Sequence, residues 1–230
     1  MSYLQIADCF AWLRKGSLAA LLGLLVMSVF GVPLLTEPGS FAGRVTQDAL
    51  FSLILMAGVV TSTERPGSFP LIAFGAFTAI AVRCASWLFP GDYTLAIRDE
   101  TALAAVALIG TTIGMTVFGP GKVTFGRIDG AIALYILIGM ICAYAYQLIN
   151  LRVPNAFSGV TIGTDKENPS TWIYFSFVTL TTAGYGDIVP IARQARSIAN
   201  LEGLIGQLYP AIVLARLVSL HLANSGADKA

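Results

Sequence analysis

Apolar residues gather along this chain into runs long enough to cross a bilayer, separated by short polar breaks. A hydrocarbon core takes about 20 mostly apolar residues per helix. Six runs fit that scale: 17–36, 47–62, 69–89, 101–118, 130–150 and 192–223. The breaks carry turn chemistry, in Glu37-Pro38-Gly39, Glu64-Arg65-Pro66-Gly67, Pro90-Gly91 and Gly119-Pro120-Gly121. Proline and glycine there end helices, so the pattern predicts separate spans joined by short loops. Residues 3–13, with Phe10 and Trp12, fit a short helix at the membrane interface. The expected fold class is an all-α membrane protein with six spans.

The pattern changes between the last two runs. Residues 151–169 are polar, and Ser170 is then placed to cap a short helix holding Trp172, Ile173, Tyr174, Phe175, Phe177 and Val178. A run of about 11 residues is too short to cross a bilayer. Glycine-rich backbone follows it, in Thr182-Ala183-Gly184-Tyr185-Gly186-Asp187. Non-helical backbone at membrane depth is tolerated only where protein buries it or where it lines a water-filled path. The segment therefore reads as re-entrant, and function is expected there.

Composition agrees. Only 12% of the 230 residues are charged and 56% are hydrophobic, against about 25% charged in a soluble domain, and the mean hydropathy is +0.74. The net charge of +1 carries no nucleic-acid footprint. Cys9, Cys84 and Cys142 lie far apart with no metal or redox spacing, and read as free thiols packed among helices. Arg14 and Lys15 precede a first run long enough to span rather than be cleaved as a signal. No nucleophile–base set, zinc motif or phosphate loop is present, so neither an enzyme nor a cofactor is expected. A secondary transporter is disfavoured because no pair of broken helices repeats.

The glycine-rich segment has the chemistry to strip water from a cation. A potassium ion sheds its hydration only if other oxygens replace it, and rings of backbone carbonyls do so when four chains face one axis. The backbone must then alternate its peptide planes through positive φ, which glycine adopts most cheaply, and Gly184 and Gly186 are spaced for it. Tyr174 through Asp187, followed by Pro190, resembles the pore helix and filter of the potassium channel family, most closely its small bacterial members. The resemblance implies that carbonyls of Thr182, Ala183, Gly184 and Tyr185 coordinate K+, the permeant ion, with Gly186 completing the filter. It implies filter support from Asp187 at the outer mouth and from Trp172, Tyr174 and Phe175 as packing partners of Tyr185. Two positions depart from the family's usual residues. Ala183 stands where valine or isoleucine is usual, and Tyr174 where many relatives have a tryptophan that bonds the aspartate; a tyrosine hydroxyl can make the same bond.

One chain supplies one filter strand, so a carbonyl cage implies a homotetramer in a lipid bilayer. In the last span, Gly206 occupies the place of the family's inner-helix hinge, and Pro210 is expected to kink the helix. Close packing at small residues is the other reading of Gly203 and Gly206. Helical spacing puts Gln207, Pro210, Leu214 and Val218 on one stripe, which resembles the family's cavity face. Glu202 is expected to turn toward the pore helix, where Thr179 or Ser176 would satisfy it, rather than toward the ion. Arg83 is expected to snorkel or to pair within the bundle, and His221 to sit at a solvated inner end.

A voltage sensor needs several arginines along its fourth helix, and 101–118 contains none. Weak or absent voltage dependence follows, and no nucleotide- or calcium-sensing domain is expected after the inner helix. With both termini cytoplasmic, seven basic residues lie inside and six outside. That margin is too thin to orient the chain, and the outward-facing filter decides it, in a bacterial plasma membrane by the resemblance. The expected division is 1–128, a four-helix membrane region without voltage-sensor arginines; 129–222, a pore domain; and 223–230, a short cytoplasmic tail. Within the pore domain the outer helix is 130–150, the pore helix and filter 170–187 and the inner helix 192–222. The alternatives are a poorly selective cation pore and a non-conducting scaffold that keeps a pore-like fold.

Overall fold

The computed structural model describes residues 17–36, 40–63, 67, 69–89, 91–119, 124–160 and 169–227. The interfacial helix expected at 3–13 lies outside them. The described residues form seven helices in order: α1 (Ser17–Leu35), α2 (Phe41–Ser62), α3 (Phe69–Leu88), α4 (Asp92–Val117), α5 (Phe125–Arg152), α6 (Pro169–Leu180) and α7 (Arg193–Ala227). All but α6 are long and apolar enough to span a membrane; α6 has 12 residues. The chain is an all-α membrane protein. Its one sheet among the described residues is an antiparallel bridge of β1 (Phe157–Ser158) and β2 (Val189–Pro190).

Several helices run past the apolar runs that announced them, and polar contacts explain why. α2 starts at Phe41 rather than 47, capped by Ser40, whose Oγ accepts from the Gly43 N–H at 3.1 Å. Its polar first turns are used: Gln47 donates to Ser28 of α1 at 3.0 Å, and Asp48 pairs with Arg83 of α3 at 2.5 Å. α4 starts at Asp92 rather than 101, with Asp99 paired to Arg98 and Glu100 to Arg152 of α5. α5 extends the expected outer helix at both ends, and α7 continues to Ala227, so most of the expected tail is helix. Ser170 lies inside α6 rather than capping it; Pro169 occupies its first turn, where a missing N–H costs nothing.

Within α1, a widened turn over Met27–Gly31 precedes Pro33. Pro33 offers no N–H to the Val29 carbonyl four residues back and its ring crowds that oxygen; the wider turn relieves both.

Lipid gives apolar helices no hydrophobic reason to associate, so close packing and polar links must hold them. α4 lies between α3 and α5 and makes its most extensive contact with α5. One continuous core joins Phe51 and Ile54 of α2, Val106 and Ile109 of α4, Leu137 and Met140 of α5, and Trp172 of α6. Arg83 is buried, bound to Asp48 and stacked over the Phe51 ring at 4.0 Å, and Trp87 donates to the other Asp48 oxygen at 2.9 Å. It pairs within the bundle rather than snorkelling out of it. Cys142 is half-buried, but Cys84 is exposed on α3 rather than packed.

Candidate functional site

The site is built on the C-terminal end of α6. Phe177 and Leu180 fit against Gly139 of α5, where a Cβ would crowd the Phe177 ring at 2.9 Å. On α7, Gly206 seats against the Leu180 carbonyl, which a Cβ there would overlap, and Gly203 faces the Thr179 carbonyl. Of the two readings of Gly206, close packing is thus present in the fold.

The backbone beyond α6 folds back to cap it. The Thr182 N–H donates to Thr179 O at 3.0 Å and the Ala183 N–H to Val178 O at 3.0 Å, while Gly184 N–H reaches the same Val178 oxygen at 3.4 Å. The first two bonds are the paired pattern of a Schellman cap, which needs a left-handed residue just past the helix. Thr182 takes that place with φ +58°. A β-branched residue there is strained, by on the order of 1–3 kcal/mol. Gly184 (φ +58°) and Gly186 (φ +79°) repeat the left-handed turn at every second residue. Glycine signalled the last two of these positions in the sequence; nothing signalled Thr182. With these amides turned back to α6, no hydrogen bond among the described residues ends on a carbonyl of Thr182 through Gly186.

A side chain from α7 also reaches Thr182. The Gln207 amide donates to Thr182 Oγ1 at 2.8 Å, so Gln207 is tied to this segment rather than free in front of it. Pro210, Leu214 and Val218 continue the same stripe of α7 and are exposed in the single chain. α7 passes through Pro210 without a break. The His221 side chain lies outside what is described.

The far end of the segment is braced from two sides. Tyr174 Oη donates to Asp187 Oδ2 at 2.7 Å, and this bond, the largest influence on the carboxyl, holds it below the usual carboxylate range. The β1–β2 bridge pairs Phe157 with Pro190 and Ser158 with Val189. Gly159 (φ +85°) lies where a Cβ would overlap the Asp187 carbonyl. This bridge was not legible, since two-residue strands leave no periodicity.

Trp172 and Phe175 do not meet Tyr185 within the chain. They face the other way, Trp172 onto Phe157 (ring centroids 4.9 Å) and Phe175 onto Tyr146 of α5 (4.8 Å). Tyr185 is 73% exposed. The reason is geometric: α6 presents Phe175 to α5, Trp172 to β1 and Tyr174 to the segment. The aromatic residues support the segment by fixing α6.

Glu202 of α7 is fully buried. Ser176 Oγ lies 2.5 Å from one of its oxygens, and Tyr146 Oη donates to the other at 2.5 Å. Thr179, the other partner expected, instead donates to Phe175 O at 2.8 Å. Tyr146 was not singled out in the sequence; it reads there as one more aromatic in a span.

Residues 131–221, from the second turn of α5 into α7, match the family model described as "Ion channel". The match covers every element of this site and none of α1–α4. No curated protein and no solved structure matches the chain.

Proposed function

We propose that this ion-channel chain is one subunit of a homotetrameric, potassium-selective channel that conducts K+ passively down its gradient. The observation that carries the reading is the left-handed backbone at Thr182, Gly184 and Gly186, every second residue. With the amides of 182–184 turned back to α6, the oxygens left for a cation are carbonyls. In this reading α6 is a re-entrant pore helix, and carbonyls of Thr182, Ala183, Gly184 and Tyr185 replace the hydration shell of K+. Gly186 and Asp187 form the outer mouth, and the exposed stripe of α7 lines the cavity below. The partial negative charge at the C-terminal end of α6 favours a cation there.

Four copies complete the cage. Apolar Leu201, Leu204, Leu208, Ile212 and Leu214 are exposed on α7, and 11% of its most apolar window is buried within the chain, against 61% for α5. That surface supports assembly around an axis facing α7. Tyr185, exposed on its own chain, would pack against a neighbouring copy. The filter then faces outward with both termini cytoplasmic, in a bacterial plasma membrane by the resemblance already drawn. Native mass should give a tetramer; monomers or dimers alone would count against the cage.

The deciding experiment is flux from proteoliposomes, comparing wild type with Gly184→Ala. Wild type should pass K+ and Rb+ and exclude Na+, and the substitution should abolish that flux, because a side chain at φ +58° distorts the strand. Equal K+ and Na+ permeability of wild type would instead favour the poorly selective pore, whose cause would lie at the small Ala183. No flux at any voltage or pH tested would leave the non-conducting scaffold.

A further inference from the structure

Glu202 is buried where α5, α6 and α7 meet, and its neighbours there are all neutral. Tyr146 and Cys142 face it from α5 and Ser176 from α6. No arginine, lysine or histidine pairs with it among the described residues. An ionised carboxylate at this depth would lack the opposite charge that such sites require.

The hydrogen atoms decide its state. Three oxygen–oxygen contacts meet at this point: Tyr146 Oη to Glu202 Oε2 at 2.5 Å, Ser176 Oγ to Glu202 Oε1 at 2.5 Å, and Ser176 Oγ to the Gly139 carbonyl at 2.6 Å. Each needs a hydrogen between its oxygens. The tyrosine and serine hydroxyls bring one each, and a carbonyl brings none. If Ser176 donates to Glu202, its oxygen and that of Gly139 face each other with nothing between them. If Ser176 donates to Gly139, the contact with Glu202 needs a hydrogen from the carboxyl itself. A protonated Glu202 supplies it and satisfies all three contacts.

We propose that Glu202 works as a neutral carboxylic acid and a positioning residue for the filter. It donates to Ser176, Ser176 donates to Gly139, and Tyr146 donates back to Glu202, so one relay fastens α6 between α7 and α5. Ser176 lies six residues before Thr182, on the helix whose terminal carbonyls hold the filter amides. Gly203 and Gly206 follow Glu202 on α7 and close on the end of the same helix. The relay thus fixes the depth and rotation of α6 under the filter. This role rests on reading 182–185 as a conducting filter; the protonation does not.

Infrared difference spectroscopy on the assembled wild type and on Glu202→Gln, paired with flux from the same preparations, tests it. Wild type should show the carbonyl stretch of a protonated acid at neutral pH, and Glu202→Gln should lose it. The glutamine amide still donates to Ser176 and accepts from Tyr146, so Glu202→Gln should keep the K+ over Na+ preference of wild type. Ser176→Ala breaks the relay with Glu202 in place. It should lower K+ flux or the K+/Na+ ratio by at least about tenfold, the scale of one lost buried hydrogen bond. Ser176→Ala is a small change and keeps the test decisive where Glu202→Ala fails to assemble.

A conducting wild type without the acid band overturns the proposal alone. So does a Glu202→Gln protein as impaired as Ser176→Ala, or a Ser176→Ala protein that conducts as wild type. An acid band in a wild type that passes no K+ overturns the channel reading and the positioning role with it.

Discussion

Pro210 stands four residues after Gly206 on α7, so the carbonyl that loses its helical donor to the proline is that of Gly206. Gly206 is also the residue that seats against the Leu180 carbonyl at the end of α6. The helical bond lost to Pro210 and the seat of α7 on the end of α6 therefore fall on one residue. Packing and hinging are not rival readings of this glycine. The contact seats α7 on the end of α6, and in the proposed channel the missing bond would let the part beyond it swing.

Pro210→Ala tests the second half of that statement. The substitution restores an N–H opposite Gly206 and favours straight helix by about 3 kcal/mol. Single-channel recording should then show a lower open probability with unchanged unitary K+ selectivity. An open probability equal to or above that of wild type would remove Pro210 from the gate.

The Tyr174–Asp187 bond makes a prediction in pH. The bond holds the Asp187 carboxyl below its ordinary value in the folded chain. A depressed carboxyl contributes stability above its unfolded value and loses it as pH falls through the folded one. Filter support at Asp187 should therefore persist through mild acid and fail only below the ordinary carboxylate range. Tyr174→Phe removes the donor and should move the midpoint of acid inhibition of K+ flux to higher pH. A midpoint that does not move would mean the bond carries no part of the outer mouth.

How far the sequence foretold this site depends on the kind of signal each residue leaves. Gly184 and Gly186 were legible because glycine marks positive φ, and the Tyr174–Asp187 pair only through the family resemblance. Glu202 was legible as a carboxyl in a span, and its turn toward Ser176 followed from there. Thr182 in a left-handed conformation was not, because a β-branched residue argues against it and only the cap on α6 imposes it. Tyr146 and Phe157 were not either, since an aromatic residue among apolar ones carries no sign of its partner. The helix starts were misjudged where polar residues open a span: the apolar runs begin at 47 and 101, but the helices begin at Phe41 and Asp92.

The Arg83–Asp48 pair can be tested on stability alone. Removing one partner of a buried pair leaves the other charge uncompensated, at about 3–5 kcal/mol. Arg83→Ala should lower the thermal transition of the detergent-solubilised protein markedly, and Asp48→Asn with Arg83→Met should recover part of the loss. The K+/Na+ permeability ratio of any Arg83→Ala channel that assembles should equal that of wild type, since α2 and α3 lie away from the filter. A changed ratio would tie the first-half bundle to selectivity.

Arg216 is where that bundle meets the inner helix. Counted from the sequence it was only one more basic residue on the cytoplasmic side. In the fold its guanidinium donates to the carbonyls of Phe118 at 2.6 Å and Gly119 at 2.9 Å, just past the end of α4. The Phe118 oxygen, on the C-cap, lies at the negative end of the α4 dipole, where a fixed cation contributes up to about 2 kcal/mol. Arg216 lies six residues after Pro210 on α7, so in the proposed channel the contact would tether the end of that helix to α4. Arg216→Gln removes the charge and keeps most of the length. It should change open probability at every voltage by a similar factor, because 101–118 carries no charge to sense the field, and leave the K+/Na+ ratio unaltered. An open probability that stays at the wild-type value would show that the first four helices do not act on α7 through this contact, and a steep new voltage dependence would place the sensor outside 101–118.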